Sequence, residues 1–260
     1  MLTLYNNAYS TCSQKVRLVL HEKGLDFADV QINFRKNEHL APDYLKLNPN
    51  GVVPTLVHDG RPVVDSSVIM EYLDEAFPAT PMAPPDALGR AAMRAWMRYF
   101  EEVPTVAVRY PSFNQAFVRH FRELDDGALA GAAEARPLRK HFYQQMGRDG
   151  FALRDVRNAL ERFRATATRM DNALADGRPW LVGEQLTVAD ACVAPLFDRM
   201  DDLGLTWLWE AQPHTAAWLA RFRARPCWAR TFYAGTRLSS IYPDLRDTAP
   251  ARDLLDGAAA

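Results

Sequence analysis

The stretch from Asn48 to Ser67 constrains the fold more than any other part of the chain. Asn48-Pro49-Asn50-Gly51 is turn chemistry. Asp59-Gly60 separates two short Val/Leu-rich runs, which is a hairpin signal. Strands over Thr55–His58 and Arg61–Val64 are therefore expected to pair antiparallel. Asp65 stands where the second strand stops and a helical apolar spacing (Val68, Ile69, Tyr72, Leu73) begins, an N-cap position. Pro54 has no N–H to give a sheet, so it belongs at the strand's first residue. An X-Pro bond there is a candidate for the cis form, which would turn the N–H and C=O of Val53 outward. An extended peptide could pair with that backbone as an added strand. Asp65 and Ser66, at a helix N-terminus, stand where free N–H groups and the dipole attract a carboxylate. The pieces read together as a socket for a small anionic peptide. A hairpin and a cap with nothing bound would use the same residues.

A chain of 260 residues can bury a proper core and is long enough for two domains. Its net charge of −1 gives no reason to expect nucleic acid or a membrane surface as partner. No run of about 18 apolar residues offers a membrane span. The N-terminus opens directly into an expected strand, Leu2–Tyr5, without the basic and apolar regions of a signal peptide. Cys12, Cys192 and Cys227 are too few, and odd in number, for a disulfide framework, which points to the cytoplasm.

Composition shifts near residue 80. Four of the five lysines precede it and all six tryptophans follow it. Between lies Phe77-Pro78-Ala79-Thr80-Pro81-Met82-Ala83-Pro84-Pro85, which no helix could cross. The expected organisation is an α/β domain over 1–78, a Pro-rich linker over 79–87, an all-helical domain over 88–243 and a loose tail over 244–260. The first domain reads strand Leu2–Tyr5, helix Ser13–Lys23, strand Phe27–Ile32, a short helix Pro42–Leu47, the hairpin and a last helix. This is a parallel βαβ unit followed by ββα, the thioredoxin-like plan. The second domain is expected to hold helices over Arg90–Glu102, Arg154–Leu174, Ala191–Leu203, Thr215–Ala224 and Trp228–Arg237. Thr187-Val188-Ala189-Asp190 has capping-box form, so Asp190 reads as structural.

The loop after the first strand, Tyr9-Ser10-Thr11-Cys12-Ser13, occupies the place where a thioredoxin-like protein carries Cys-x-x-Cys. Ser10 and Ser13 replace both cysteines, so dithiol chemistry is missing. A hydroxyl there can donate a hydrogen bond to another molecule's thiolate. Lowering a thiol from about 8.5 to about 6.5 needs roughly 2.7 kcal/mol. One hydrogen bond to charged sulfur gives ~1.5–3 kcal/mol and a helix N-terminus ~0.3–1 kcal/mol. The sum suffices without a metal or a general base.

The Val53-Pro54 turn, the Asp65-Ser66 helix start, the Pro linker, the helical second domain and the Gly183/Thr187–Asp190 pattern together resemble the glutathione transferase family over nearly the whole chain. The resemblance implies the thioredoxin-like plus all-α architecture, glutathione as co-substrate, no metal, a homodimer and a role in detoxification. Aligned on Val16–Leu20, Ser10 falls on the activating serine of the serine-type classes, and the tyrosine of the other large group would fall at Asn6. Ser13 matches the serine of some bacterial members, and Cys12 would suit thiol transfer through a mixed disulfide. His39 falls where the family often has a basic residue for the glycine carboxylate of glutathione; a surface histidine without a partner is the plainer reading. Val53, Pro54, Asp65 and Ser66 complete the implied glutathione site.

The second substrate is expected to be a hydrophobic aromatic molecule. The helix after the linker and the segment beyond it are rich in apolar rings: Trp96, Tyr99, Tyr110, Phe113 and Phe117 are the candidates to line its site. A stripe at this spacing also serves as core. Residues 136–169 hold nine Lys/Arg against three Asp/Glu, which reads as a solvated face or as a basic rim for an anionic or phenolate-like substrate. The extra length, in 110–155, and the segments Arg90–Trp96, Val63–Leu73 and Gly150-Phe151 resemble bacterial β-etherases. There the resemblance implies that glutathione thiolate displaces a phenol from the carbon beside a ketone. A glutathione-dependent isomerase of dienoic acids, and a glutathione-binding protein without turnover, are the alternatives.

Overall fold

The computed structural model describes residues 1–256. Strand β1 (Leu2–Asn6) leads into helix α1 (Thr11–Glu22) and then β2 (Ala28–Gln31), α2 (Pro42–Leu47), β3 (Thr55–His58), β4 (Arg61–Val64) and α3 (Ser66–Ala76). The sheet order is β2-β1-β3-β4, with β1 parallel to β2 and antiparallel to β3. Both hairpin strands have the bounds expected from sequence. Their turn works because Asp59 and Gly60 both take positive φ, 48° and 78°, the geometry that matches strand twist. Helix α1 starts two residues earlier than expected because Ser10 caps it; β2 is shorter than expected at both ends.

From Ala87 onward the described chain is helical: α4 (Ala87–Glu102), α5 (Pro104–Ala107), α6 (Arg109–Ser112), a π-helical turn (Phe113–Phe117), α7 (Asp126–Glu134), α8 (Lys140–Met146), α9 (Leu153–Leu174), α10 (Val188–Asp202), α11 (Pro213–Arg223) and α12 (Pro226–Thr231). Pro104 ends α4 by opening a new turn at its own N-terminus. The last expected helix stops six residues early, at Thr231, and Phe232 leaves the helical region with ψ 57°.

Asp190 is fully buried and accepts four bonds. Thr187 N–H and hydroxyl donate to Oδ2, while Leu181 N–H and Trp218 Nε1 donate to Oδ1, all at 2.9–3.0 Å. That role is structural, as its place in the capping box suggested. The tail is not loose where it is described. Leu245 is buried and its C=O accepts from Gln115 Nε2 at 3.0 Å, and Leu255 is buried in α13 (Asp253–Asp256). Packing energy wins here because the segment carries its own apolar anchors. Residues 257–260 of that expected tail lie outside the described residues.

One apolar core runs through both halves, from Leu4, Leu18 and Leu56 to Phe100, Phe163 and Trp218. Polar contacts reinforce the junction. Lys15, fully buried, donates to Glu101 Oε1 (2.6 Å) and Thr105 Oγ1 (2.9 Å), and Gln14 donates to the Thr236 C=O at 3.0 Å. At the far end of α1 Arg225 Nε donates to Glu22 Oε2 at 3.1 Å, so the helix is tied to the helical half near both ends.

Candidate functional site

The strand register collects the candidate residues at one end of the sheet. Tyr5 lies opposite Thr55, and Thr55 opposite Val64. The chain leaving β1 toward Ser10, the chain entering β3 through Val53-Pro54 and the chain leaving β4 into Asp65-Ser66 therefore meet at the same edge. Helices α1 and α3 begin there, so two sets of free N–H groups face one place.

The turn before Pro54 is held rigidly. Asn48, fully buried, donates from Nδ2 to the Val52 C=O (2.9 Å) and Thr55 Oγ1 (3.1 Å), and its Oδ1 accepts from Asn50 N–H. Tyr44 adds a bond to the same Val52 C=O at 2.6 Å. Gly51 has φ 59°, where any side chain is strained, and a Cβ on it would also press Leu40 Cδ2 at 2.9 Å, so glycine is favoured. The Val53-Pro54 bond is cis. Among the described residues neither the N–H nor the C=O of Val53 has a backbone partner. Unpaired groups of this kind are uncommon in a folded chain.

Asp65 takes φ 73° and caps α3, its Oδ1 accepting from Ser67 N–H (2.9 Å), Ser67 Oγ (2.6 Å) and Val68 N–H (3.2 Å). Ser66, nearly buried at the first position of α3, makes no side-chain bond within the described chain. Ser10 is the half-buried N-cap of α1, and its Oγ accepts from Ser13 N–H at a long 3.4 Å. Ser13 is fully buried, and its Oγ accepts from Asn7 N–H at 3.2 Å. The two hydroxyls thus differ in access. Cys12, half-buried, occupies the same first turn; all three cysteines are free.

His39 is not on the surface. It is 7% exposed, its ring sits edge-on to Phe34 with centroids 5.0 Å apart, and Nδ1 is buried without a partner. Burial, with the Arg136 charge second, pulls its pKa down to about 4. It is therefore a neutral imidazole at physiological pH, able to donate one hydrogen bond but not to supply the positive charge expected of a basic residue. Arg136, whose Nη2 lies 3.4 Å from Asn37 Oδ1, brings that charge from the helical half.

The aromatic candidates divide into two groups. Tyr110, Phe113 and Phe117 belong to a continuous run of rings: Phe34 to Tyr9 (5.9 Å), Tyr9 to Phe117 (6.0 Å), Phe117 to Phe113 (5.0 Å), Phe113 to Phe142 (4.8 Å) and Phe142 to Tyr110 (5.8 Å). This run joins His39 to the helical half and passes beside Ser10. Trp96 and Tyr99 stand elsewhere, against α9. Arg169 lies over both rings at 5.0 and 4.0 Å, and the Tyr99 hydroxyl meets Thr166 Oγ1 at 3.0 Å. The sequence grouped them because helical spacing fixes a face and not what the face meets. Tyr9, which links Phe34 to Phe117 in this run, was not among the sequence candidates; its place before Ser10 was the available signal. Burial, with Tyr242 second, raises its phenol pKa, so it stays a proton donor.

Comparison with known proteins agrees with this geometry. The glutathione S-transferase N-terminal domain matches residues 9–76 and the glutathione S-transferase C-terminal domain matches residues 151–226. The chain belongs to the glutathione S-transferase family. Glutathione S-transferase Z1 of Arabidopsis thaliana is 32% identical over 62% of this chain and 79% of its own length. Protein LigF of Sphingobium sp. strain SYK-6 is 29% identical, covering 91% of this chain and 95% of its own. The crystal structure of that protein, described as a beta-etherase, superposes with a TM-score of 0.79 over 89% of this chain and 98% of that one, at 27% identity. A tetrachloro-p-hydroquinone reductive dehalogenase of Sphingobium chlorophenolicum is 28% identical over 86% of this chain and 92% of its own. Among the described residues no helix is long and apolar enough to cross a membrane, and no group of three or more His, Cys, Asp or Glu could hold a metal.

Proposed function

We propose that this chain is a serine-type glutathione transferase that attacks an aromatic electrophile, with cleavage of a β-aryl ether as the favoured reaction. The observation that carries the reading is the meeting of unpaired Val53 backbone, the Ser66 helix start and the Ser10 hydroxyl at one sheet edge. Val53 pairs with the extended backbone of glutathione as a short added strand. The α3 N-terminus, with Ser66, takes the γ-glutamyl carboxylate, and the Asp65 carboxylate takes its ammonium. His39 donates a neutral hydrogen bond near the glycine end. The sulfur then lies over the first turn of α1, where Ser10 donates to the thiolate.

The thiolate attacks the carbon beside a ketone; a carbon–sulfur bond forms, the carbon–oxygen bond breaks and the phenolate leaves. Tyr9, Phe113 and Phe117 flank the place where the leaving ring would stand, with Tyr110 behind them. The relationship to a β-etherase across most of both chains supports this substrate class. A homodimer in the cytoplasm fits the family and the unpaired cysteines. The test is incubation with glutathione and a two-ring β-aryl ketone ether, following released phenol and glutathione thioether together. Release of neither, while a simple aryl halide is conjugated, would remove the ether assignment and keep the transferase.

One observation favours a second reading. Cys12 shares the first turn of α1 with Ser10, as a thiol-exchange step requires. If turnover passes through a mixed disulfide, Cys12→Ser abolishes it and Ser10→Ala does not.

A further inference from the structure

Among the described residues, the arginine side chains that meet no hydrogen-bond or ion-pair partner fall into two groups. Arg61, Arg122, Arg162, Arg164, Arg169 and Arg230 are exposed and have water for company. Arg109 and Arg139 are half-buried, yet no acceptor among the described residues satisfies them, and none of their nitrogens is sealed from solvent. A guanidinium withdrawn from bulk water and left without a carboxylate is costly, so a site of this kind suits an anion from outside.

Their placement says which anion. Thr105, Arg109, Phe113 and Phe117 recur at every fourth residue along α5, α6 and the π-helical turn, on one face. At one end of that face Thr105 Oγ1 accepts from Lys15 at 2.9 Å; at the other, Phe117 lies 6.0 Å from Tyr9. Lys15 and Tyr9 flank the first turn of α1, so Arg109, between the two anchors, is set toward Ser10 and Cys12. Arg139 immediately precedes α8, whose Phe142 packs on both Tyr110 and Phe113 at 5.8 and 4.8 Å. Burial first and the Arg139 charge second pull Arg109 down to about 10, which leaves it charged at neutral pH. The Glu101 carboxylate that offsets this is already held by Lys15 at 2.6 Å.

We propose that Arg109 and Arg139 together bind an acidic group on the second substrate, so that the preferred electrophile is an aromatic ring bearing a carboxylate or phenolate. The ring rests against Phe113 and Phe117 while the two guanidinium groups fix the acid, which turns the reacting carbon toward the first turn of α1. This rests on the transferase reading above and narrows its substrate class.

A matched pair tests it: 4-chloro-3-nitrobenzoate and its methyl ester. In both, glutathione sulfur forms a bond to C4 and chloride leaves, so only the charge differs. Each kcat/KM is divided by the uncatalysed rate with glutathione. The carboxylate-to-ester ratio is expected to fall roughly 10- to 100-fold in Arg109→Met and in Arg139→Met, the scale of one charge-assisted bond. It should recover partly in Arg109→Lys, which keeps the charge and loses the fork, and stay unchanged in the exposed Arg164→Met. An unchanged ratio in both Met variants overturns the proposal. If the wild type conjugates neither compound, the ether assay above decides the transferase reading, and calorimetric titration with 3-nitrobenzoate decides the site. Binding in the wild type that is lost in Arg109→Met supports it, and no binding in the wild type overturns it.

Discussion

Ser10→Ala and Ser13→Ala should separate thiolate activation from structural support, because the two hydroxyls sit in different surroundings. Ser10 Oγ accepts one N–H at 3.4 Å, a long and weak bond, and is half-buried. Losing it as a cap costs about 0.5 kcal/mol, the low end of measured caps. Losing it as a donor to sulfur costs ~1.5–3 kcal/mol, or roughly 1–2 pKa units. A thiol that titrates near 6.5 would then titrate near 7.6–8.7, and the thiolate fraction at pH 7 would drop about 4- to 40-fold. Ser13 gives the opposite profile. Its oxygen is the acceptor for the buried Asn7 N–H at 3.2 Å, so alanine strands that donor at a cost of ~1–3 kcal/mol in stability. The assays are the ultraviolet thiolate absorbance of bound glutathione against pH, and thermal melting, on both variants. Ser10→Ala should raise the thiolate midpoint and barely move Tm; Ser13→Ala should lower Tm by a few °C and leave the midpoint alone. A midpoint that moves only in Ser13→Ala would refute the reasoning and transfer the role to Ser13.

Asp65→Asn keeps an oxygen for the α3 cap but removes the charge, so the glutathione Kd should rise roughly tenfold in calorimetric titration with little loss of stability; unchanged affinity would remove Asp65 from the site. His21 and His39 are both held near pKa 4, chiefly by burial, against an ordinary 6.5. The unfolded chain therefore binds more protons between pH 6.5 and about 4, so stability is complete above 6.5 and declines as pH falls through that window. Urea midpoints across it should show the slope, and His21→Phe should flatten part of it; a level profile contradicts the burial argument. Phe117 lies against Tyr9 while Phe113 is surrounded by Phe117, Phe142 and Tyr143. Phe117→Ala should thus depress turnover of a two-ring ether more than conjugation of a one-ring halide, and Phe113→Ala should do the same while also lowering Tm, since its ring packs on three others. Equal losses on both substrates in Phe117→Ala would make that ring core.

What could be read from sequence was what backbone chemistry decides locally. The Asp-Gly turn, the Pro at the strand start, the cap at Asp65 and the capping box at Asp190 each depend on residues within a few positions. Their consequences, down to the ends of β3 and β4, follow from that. The substrate side depends on what distant helices meet. His39 is neutral because Phe34 covers it and Arg136, almost a hundred residues on, adds its charge. Trp96 and Tyr99 meet Arg169 and Thr166 of α9 at the side of α4, whose main helical partner is α10, a choice helical spacing cannot express. The tail docks because Leu245 finds the Gln115 amide, a contact 130 residues apart in sequence. The basic surplus of 136–169 was visible as a count, but not that Arg139 would lack a partner among the described residues.

The electrostatics of this site favour an anion and offer it no base. Two helix N-termini converge on the sheet edge. Arg199, buried in α10, donates to the Tyr9 C=O directly beside Ser10. Lys15 lies one turn along α1 and is held charged: burial opposes it, and the Glu101 carboxylate at 2.6 Å outweighs that effect. Arg109 stands across from the same turn with no ion-pair partner among the described residues. Against this, His39 is neutral with Nδ1 sealed, and the Cys192 thiol is pushed up by burial, so neither is poised to accept a proton near pH 7. An arrangement that stabilises the charge without holding the proton releases that proton to solvent when the thiol ionises. Turnover should accordingly follow the thiolate titration as a single rising limb through neutral pH, with no falling limb there, since the cation invoked at the site, Arg109, keeps its proton up to about 10. An acid limb that persists in Ser10→Ala at its wild-type midpoint would mean that some other group sets the sulfur's pKa.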